Sequence, residues 1–309
     1  MEKIPYSTNE FRKNTDMLVF KSKRESWIEE LLKEDRNSII QQIWLMFWDT
    51  AIYNVILEAR RQADKASCGR VKLNGMVHNL IDRYFFQSQA LAVRRLVEKR
   101  KNERNYSRAV YSLKGLLEDI KANIHLFTRE NIFAAEDRPY DTTHIRKAYR
   151  EYCEQKERAG NSTYAIPREL DFECHEKRHE EIDILAEVDK ANRSPKDTIK
   201  QKIIMRLEDK IVHCEEIVVY VNKFIAHAAT TESRKKGVKQ PEKSINADDI
   251  TLTLGELVKA QEVFYKVSNF VSSYILVAGG IGWAAEPRFE YIDRPLIAVS
   301  YTHLTLPTN

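Results

Sequence analysis

Residues 194–230 read SPKDTIKQKIIMRLEDKIVHCEEIVVYVNKFIAHAAT, the longest unbroken helical pattern in the chain. Ser194 is a favoured N-cap, Pro195 suits the first helical position, and Asp197 falls in the first turn, where the positive end of the helix dipole favours an anion. Ile203, Leu207, Ile211, Cys214, Val218, Val221 and Ile225 recur in steps of three and four. That spacing predicts a single helix over 195–230 with this stripe buried. Opposite it, steps of seven link His213, Tyr220 and His227, with Asp209, Glu216 and Lys223 on the same side. Lys223 precedes His227 by four residues, so a helix brings the two side chains together.

Outward from this stretch, the pattern stays helical. Asn37 or Ser38 caps a helix expected over 36–63, rich in Ile, Trp, Phe and Leu, whose Trp44, Phe47 and Trp48 read as core aromatics. A second spans 76–101 with Val77, Leu80, Ile81, Tyr84, Leu91 and Leu96 as its apolar stripe. A third, 107–124, carries Leu113, Leu116, Leu117 and Ile120. Thr253 with Glu256 forms a capping box that opens a helix over 253–278, with Leu257, Phe264, Val267, Val271 and Ile275 apolar and Gly279-Gly280 as its stop. Residues 22–34 suggest a short helix. Residues 1–20 lack a period and read as a loose arm. The segment 127–193 is charged, is punctuated by Pro139, Gly160 and Pro167, and reads as a polar helical insertion without a second core.

These elements predict an all-α, up-down bundle of four main helices, the third formed by 107–124 paired with 195–230, within one domain over 21–278. Composition agrees. Of 309 residues, 43% are hydrophobic and 31% charged, and only 9 are Gly and 8 Pro, which favours long helices over turn-rich β structure. The tail, 279–309, ends in VSYTHLTLPTN at 299–309, which resembles a translated sequencing adapter; it is set aside from the fold.

The net charge of +4 is mild, yet basic residues cluster at 94–108 and 234–243, in keeping with a nucleic-acid partner. Cys68, Cys153, Cys174 and Cys214 show no CxxC spacing, and the start of the chain carries charge rather than an apolar signal core. A reducing, cytoplasmic compartment is expected. Residues 38–57 are apolar but include Gln41, Gln42, Asp49 and Asn54, so they read as a core helix rather than a membrane span.

The end of the central stretch, Tyr220-Val221-Asn222-Lys223-Phe224-Ile225-Ala226-His227, resembles the closing motif of the HEPN superfamily, in particular its AbiU-type abortive-infection branch. That motif is an Arg, often followed by a polar residue, four to six positions before a His. Asn222 and His227 match; Tyr220, Val221 and Asn222 stand where the Arg would be. The helix leading into Ser112-Leu113 and Leu116-Leu117 is similar to the same family. The resemblance implies a phage-defence or toxin-type protein, homodimeric, with RNA as substrate, an antitoxin or other defence partner, and no cofactor or membrane. It assigns proton transfer to His227 and leaves Lys223, with Asn222, as the cation and polar group beside it. The expected dimer face is the His213, Tyr220, His227 line. The other reading is a HEPN-like module that binds RNA or protein without catalysis.

One further motif stands apart. His175-Glu176-Lys177-Arg178-His179 matches HExxH, which on a helix offers two His ligands to zinc and a Glu base. Its flanks at 173–181 are almost all charged, so the expected state is a solvated helix, with zinc hydrolysis the distant alternative.

Overall fold

The computed structural model describes residues 8–33, 35–66, 75–99, 110–138, 140–141, 143–160, 165–167, 170–226, 229–235, 238–239, 244–245 and 252–279. Its elements are helical: α1 Thr8–Leu32, α2 Ile39–Ala66, α3 Gly75–Leu96, α4 Leu113–Ala122, α5 Arg129–Ala135, α6 Thr143–Arg158, α7 Phe172–Ala186, α8 Gln201–Val212, α9 Glu215–Tyr220, α10 Thr231–Lys235 and α11 Leu254–Phe270. Two-residue strands at Val238–Lys239 and Ser244–Ile245 pair antiparallel. No helix among the described residues is long and apolar enough to cross a membrane. The chain divides into two compact units, one formed by 1–27 with 119–206, the other by 28–118 with 207–309.

The second unit is the bundle. Helices α2, α3, α9 and α11 pack on one another. Ser38 starts α2, its Oγ accepting from Gln41 N at 3.4 Å, and Ile39, Ile43, Met46 and Ala51 point inward. The Thr253–Glu256 capping box forms at α11, whose Leu257, Phe264 and Val267 are buried as the spacing requires, as are Val271 and Ile275 of the π-helical turn Val271–Ile275 that follows it. A buried polar link ties three helices. Gln261 of α11 donates to Thr50 Oγ1 of α2 at 2.7 Å and to Gln89 Oε1 of α3 at 2.9 Å. Ser112 sets the start of α4 by accepting from Gly115 N at 3.0 Å, and Lys114 pairs with Glu215 of α9 at 3.0 Å. The entry expected at Tyr106-Ser107 lies outside the described residues.

Two stripes differ from expectation. On α3 the buried residues are Phe85, Gln89, Ala90, Val93 and Leu96, while Val77, Leu80 and Tyr84 are exposed, Tyr84 to 61%. On α2, Trp48 is 51% exposed rather than in the core. Helical period alone does not say which apolar line a neighbour covers.

The first unit holds the segment 127–193, helical and polar in sequence, which nonetheless gathers apolar groups of its own. Phe127, Ile132, Phe133, Ile182, Leu185, Ala186 and Ile199 are buried. Phe127 stacks on Trp27 at 5.3 Å and meets Phe20 edge-on at 5.0 Å, and Trp27 Nε1 donates to Asp119 Oδ2 at 2.6 Å. Phe20 and Trp27 lie seven residues apart on α1. That helix therefore replaces the loose arm expected over 1–20 and the separate short helix after it, from Thr8 onward.

The long helix expected over 195–230 is interrupted. Residues 194–200 form a strap held by the N-terminal end of α5: Arg129 N donates to Asp197 O at 2.8 Å, Glu130 N to Pro195 O at 2.9 Å, and Thr128 bridges Thr198. Asp197 is drawn away from any capping role because its carboxylate accepts from Arg129 and from Ser194 N. Helix α8 begins only at Gln201. A turn at His213-Cys214 separates it from α9, which ends in a π-helical turn over Val221–Ile225. Leu207, Ile211, Cys214 and Val221 of the expected stripe are buried, together with Ile204, Ile217 and Val219, whereas Ile203, Val218 and Ile225 are only half-buried.

Candidate functional site

The π turn closes with Ala226 N donating to Val221 O at 2.8 Å, one residue wider than an α-helical bond. The extra residue rotates Asn222, Lys223 and Phe224 relative to the buried line of α9. The chain then folds back. Ala229 N donates to Lys223 O at 3.3 Å, and Lys223 Nζ donates to Ser233 O at 2.8 Å and Ser233 Oγ at 3.0 Å. Arg234 follows. Its Nη1 donates to Ala229 O at 3.3 Å, and its guanidinium lies 5.5 Å from the Phe224 ring centre. Phe224 in turn packs against Tyr220, with ring centres 5.1 Å apart. His227 lies outside the described residues, between Ala226 and Ala229.

The end of α9 therefore presents two aromatic rings, one exposed and one half-buried, beside one ammonium and one guanidinium. Aromatic faces of this kind can stack on planar groups, and cations can contact anions such as phosphate. The sequence reading put Lys223 alone as the local cation. The structure ties that ammonium to Ser233 and brings in Arg234, which lies seven residues after His227 rather than before it. Only the basic run at 234–243 hinted at it. Asn222 is half-buried, and His213, Asp209 and Glu216 are exposed along the flank of the same helical path.

Cys214, beside His213, is no nucleophile. Burial pushes its thiol up to about 12, with Glu215 adding to the effect.

The HEKRH segment, on α7, overturns the expectation of a solvated helix. His175 is 1% and His179 5% exposed, both lying against Phe133, with ring centres 6.0 and 4.3 Å away. The reason is Arg129, which is 0% exposed. Its Nη1 lies 3.2 Å from His179 Nδ1 and 3.1 Å from His179 O, its Nη2 2.7 Å from Asp183 Oδ1 and 2.8 Å from Asp197 Oδ2. Arg193 extends the network to Asp183 at 2.6 Å and Glu176 at 2.9 Å, and Lys190 reaches Glu176 at 2.6 Å. Burial, then the nearby Arg129 and Arg193, lowers His179 to about 4, so its ring is neutral and accepts from Arg129. His175 is also lowered, by burial and then by Arg138. Burial opposes ionisation of Glu176 and Asp183, but their basic partners prevail and hold both carboxyls below the usual range.

This chemistry argues against a zinc centre. A ligand nitrogen already faces a guanidinium, the base Glu176 is held by two cations, and a divalent ion there would sit against Arg129. Among the described residues, no three His, Cys, Asp or Glu side chains are grouped as a metal cage. The network is a buried ionic clasp that joins α5, α7 and the 194–200 strap.

No family model, curated protein or solved structure matches the chain.

Proposed function

We propose that the chain is a HEPN-type, AbiU-like defence protein that acts on RNA as a metal-independent endoribonuclease. The observation that carries this reading is the fold-back after α9, which gathers Arg234 beside the Tyr220–Phe224 ring pair and ties Lys223 to Ser233, in the stretch of sequence that contains His227. In the reaction, the RNA 2′-hydroxyl attacks the adjacent phosphorus, His227 transfers protons, and the 5′-oxygen leaves as a hydroxyl, giving a cyclic phosphate. Arg234 supplies the forked donor that the family motif takes from an Arg before the His, and it stabilises charge on the phosphorane oxygens. Lys223 shapes the loop through Ser233, and Asn222 adds a neutral polar group. The exposed His213 flank supports the homodimeric arrangement, which joins two such ends in one cleft. An antitoxin or other defence partner belongs to the same reading.

A second reading follows from Lys223 itself. With its ammonium engaged by Ser233, the loop is suited to binding RNA, or a partner protein, without chemistry. Incubation of labelled single-stranded RNA with the protein in EDTA separates the two. Cleavage that persists in EDTA and disappears in His227→Ala supports the nuclease. Binding with steep salt dependence but no cleavage, with or without divalent metal, leaves the binding module. Neither cleavage nor binding removes RNA from the proposal.

A further inference from the structure

The exposed line on α3 and its counterpart on α2 enclose a groove in the bundle unit. Its volume is ≈ 360 Å³, and its walls include Ile52 and Ile56 of α2 and Leu80, Tyr84 and Phe85 of α3, with Asp49 among them. Apolar exposure runs past both ends of the groove. Leu45 and Trp48 extend it along α2, and Val77 and Met76, the last 80% exposed, extend it along α3. A soluble surface rarely carries so many contiguous large apolar side chains without a partner.

Asp49 identifies the chemistry of that partner. Among the described residues it is the one charged side chain lining the groove, and it is half-buried. Its hydrogen bond among the described residues is a long one, 3.4 Å from Gln89 Nε2. Gln89 is itself engaged by Gln261 at 2.9 Å, so the carboxylate receives little from the protein. Burial raises its pKa and outweighs the opposing hydrogen bond from Gln89. The other acidic group nearby, Asp82, is by contrast paired with Arg60 at 2.7 Å and Tyr53 at 3.0 Å. A half-buried carboxylate among apolar walls is stabilised by a cation brought from outside.

We propose that this groove receives an amphipathic helix of a partner protein, with apolar side chains on Ile52, Leu80 and Tyr84 and one Lys or Arg on Asp49. The length fits a helix. From Leu45 to Ile56 the apolar line on α2 covers roughly 16 Å, about three turns. An open trough between two helices takes apolar side chains at positions i, i+3 and i+7 of a third. None of the groove's lining residues belongs to α9 or its π turn, so the proposal does not rest on RNA chemistry there.

The test uses three fluorescein-labelled, helix-stapled 14-residue peptides that share one Leu stripe and differ only at its central polar neighbour, Lys, Gln or Glu. Fluorescence anisotropy with the full chain is expected to rank them Lys, Gln, Glu, with at least about tenfold between first and last. Asp49→Asn should bring the three within about twofold of one another, and Leu80→Glu should weaken all by more than tenfold. Leu80 and Asp49 are both at the surface of the groove, and an unchanged helical spectrum and melting temperature show that each variant is folded. No saturable binding of any peptide to the folded wild-type chain, or a ranking that survives Asp49→Asn, overturns the proposal. Sedimentation showing a dimer that Leu80→Glu dissociates also overturns it, assigning the groove to a second copy of this chain.

Discussion

Arg129 and Asp197 are joined twice by side chains, Nε to Oδ2 at 3.1 Å and Nη2 to Oδ2 at 2.8 Å, and once by backbone, N to O at 2.8 Å. The pair turns a sequence that looks like the start of a long helix into a strap. Removing one partner of a buried ionic group leaves the others uncompensated. Arg129→Ala is therefore expected to destabilise the protein by about 3–5 kcal/mol. Urea unfolding, followed by the signal of Trp27 in the same unit, measures it. Asp197→Asn, which keeps the shape and one acceptor oxygen for Arg129 and Ser194 N, should cost less than half as much.

Acidification should weaken the same unit, because the histidines and carboxyls of the clasp are all shifted downward. His179 is held at about 4, below its unfolded value near 6.5, so the unfolded chain binds its proton first as pH falls. The stability it contributes is present above pH ~6.5 and is lost as pH falls toward about 4, on the order of 3 kcal/mol. Asp183 and Glu176, both lowered, add a further loss below the ordinary carboxylate range. Melting temperature against pH should therefore fall in two stages. His179→Gln should shrink the upper stage, with His175, also lowered, keeping its share of it, and should leave the lower one.

At the end of α9 the substitutions have opposite expected effects. His227→Ala should reduce RNA cleavage by at least ~100-fold without lowering the melting temperature. Arg234→Lys should reduce it too, since an ammonium lacks the planar fork that matches phosphate. Lys223→Arg should be tolerated. Lys223→Met should loosen the fold-back, seen as faster hydrogen exchange at the Ala229 amide, which donates to Lys223 O at 3.3 Å.

The Gln261 link makes a prediction about the bundle alone. Gln261→Ala leaves Thr50 and Gln89 without their partner and opens a cavity at a fully buried position. A loss of about 2–4 kcal/mol is expected from the two effects together. Calorimetry should show it, and Gln261→Leu should recover the packing but not the polar share.

Much of the bundle was legible in the sequence because its signals are local. The Thr253–Glu256 capping box and the buried line from Leu257 to Ile275 need only the helical period and a short-range hydrogen bond. Ser38 marks the start of α2 for the same reason. At the candidate site, Asn222 and Lys223 were readable as a motif, but the return of Arg234 to Phe224 depends on the path of the chain after His227.

What the sequence by itself determined is therefore the all-helical class, the existence of most helices and the residue types at the end of α9. Tertiary structure alone decided which apolar line on α3 is covered, since Val77, Leu80 and Tyr84 carry the same period as Phe85, Val93 and Leu96. It also decided the fate of HEKRH. Charged residues four apart look solvated until counter-charges arrive from elsewhere, and Arg129 comes from 50 positions away to meet His179. Periodicity reports that a segment has two faces. Which face is buried, and whether a charge is neutralised, is set by desolvation and pairing with groups distant in the chain.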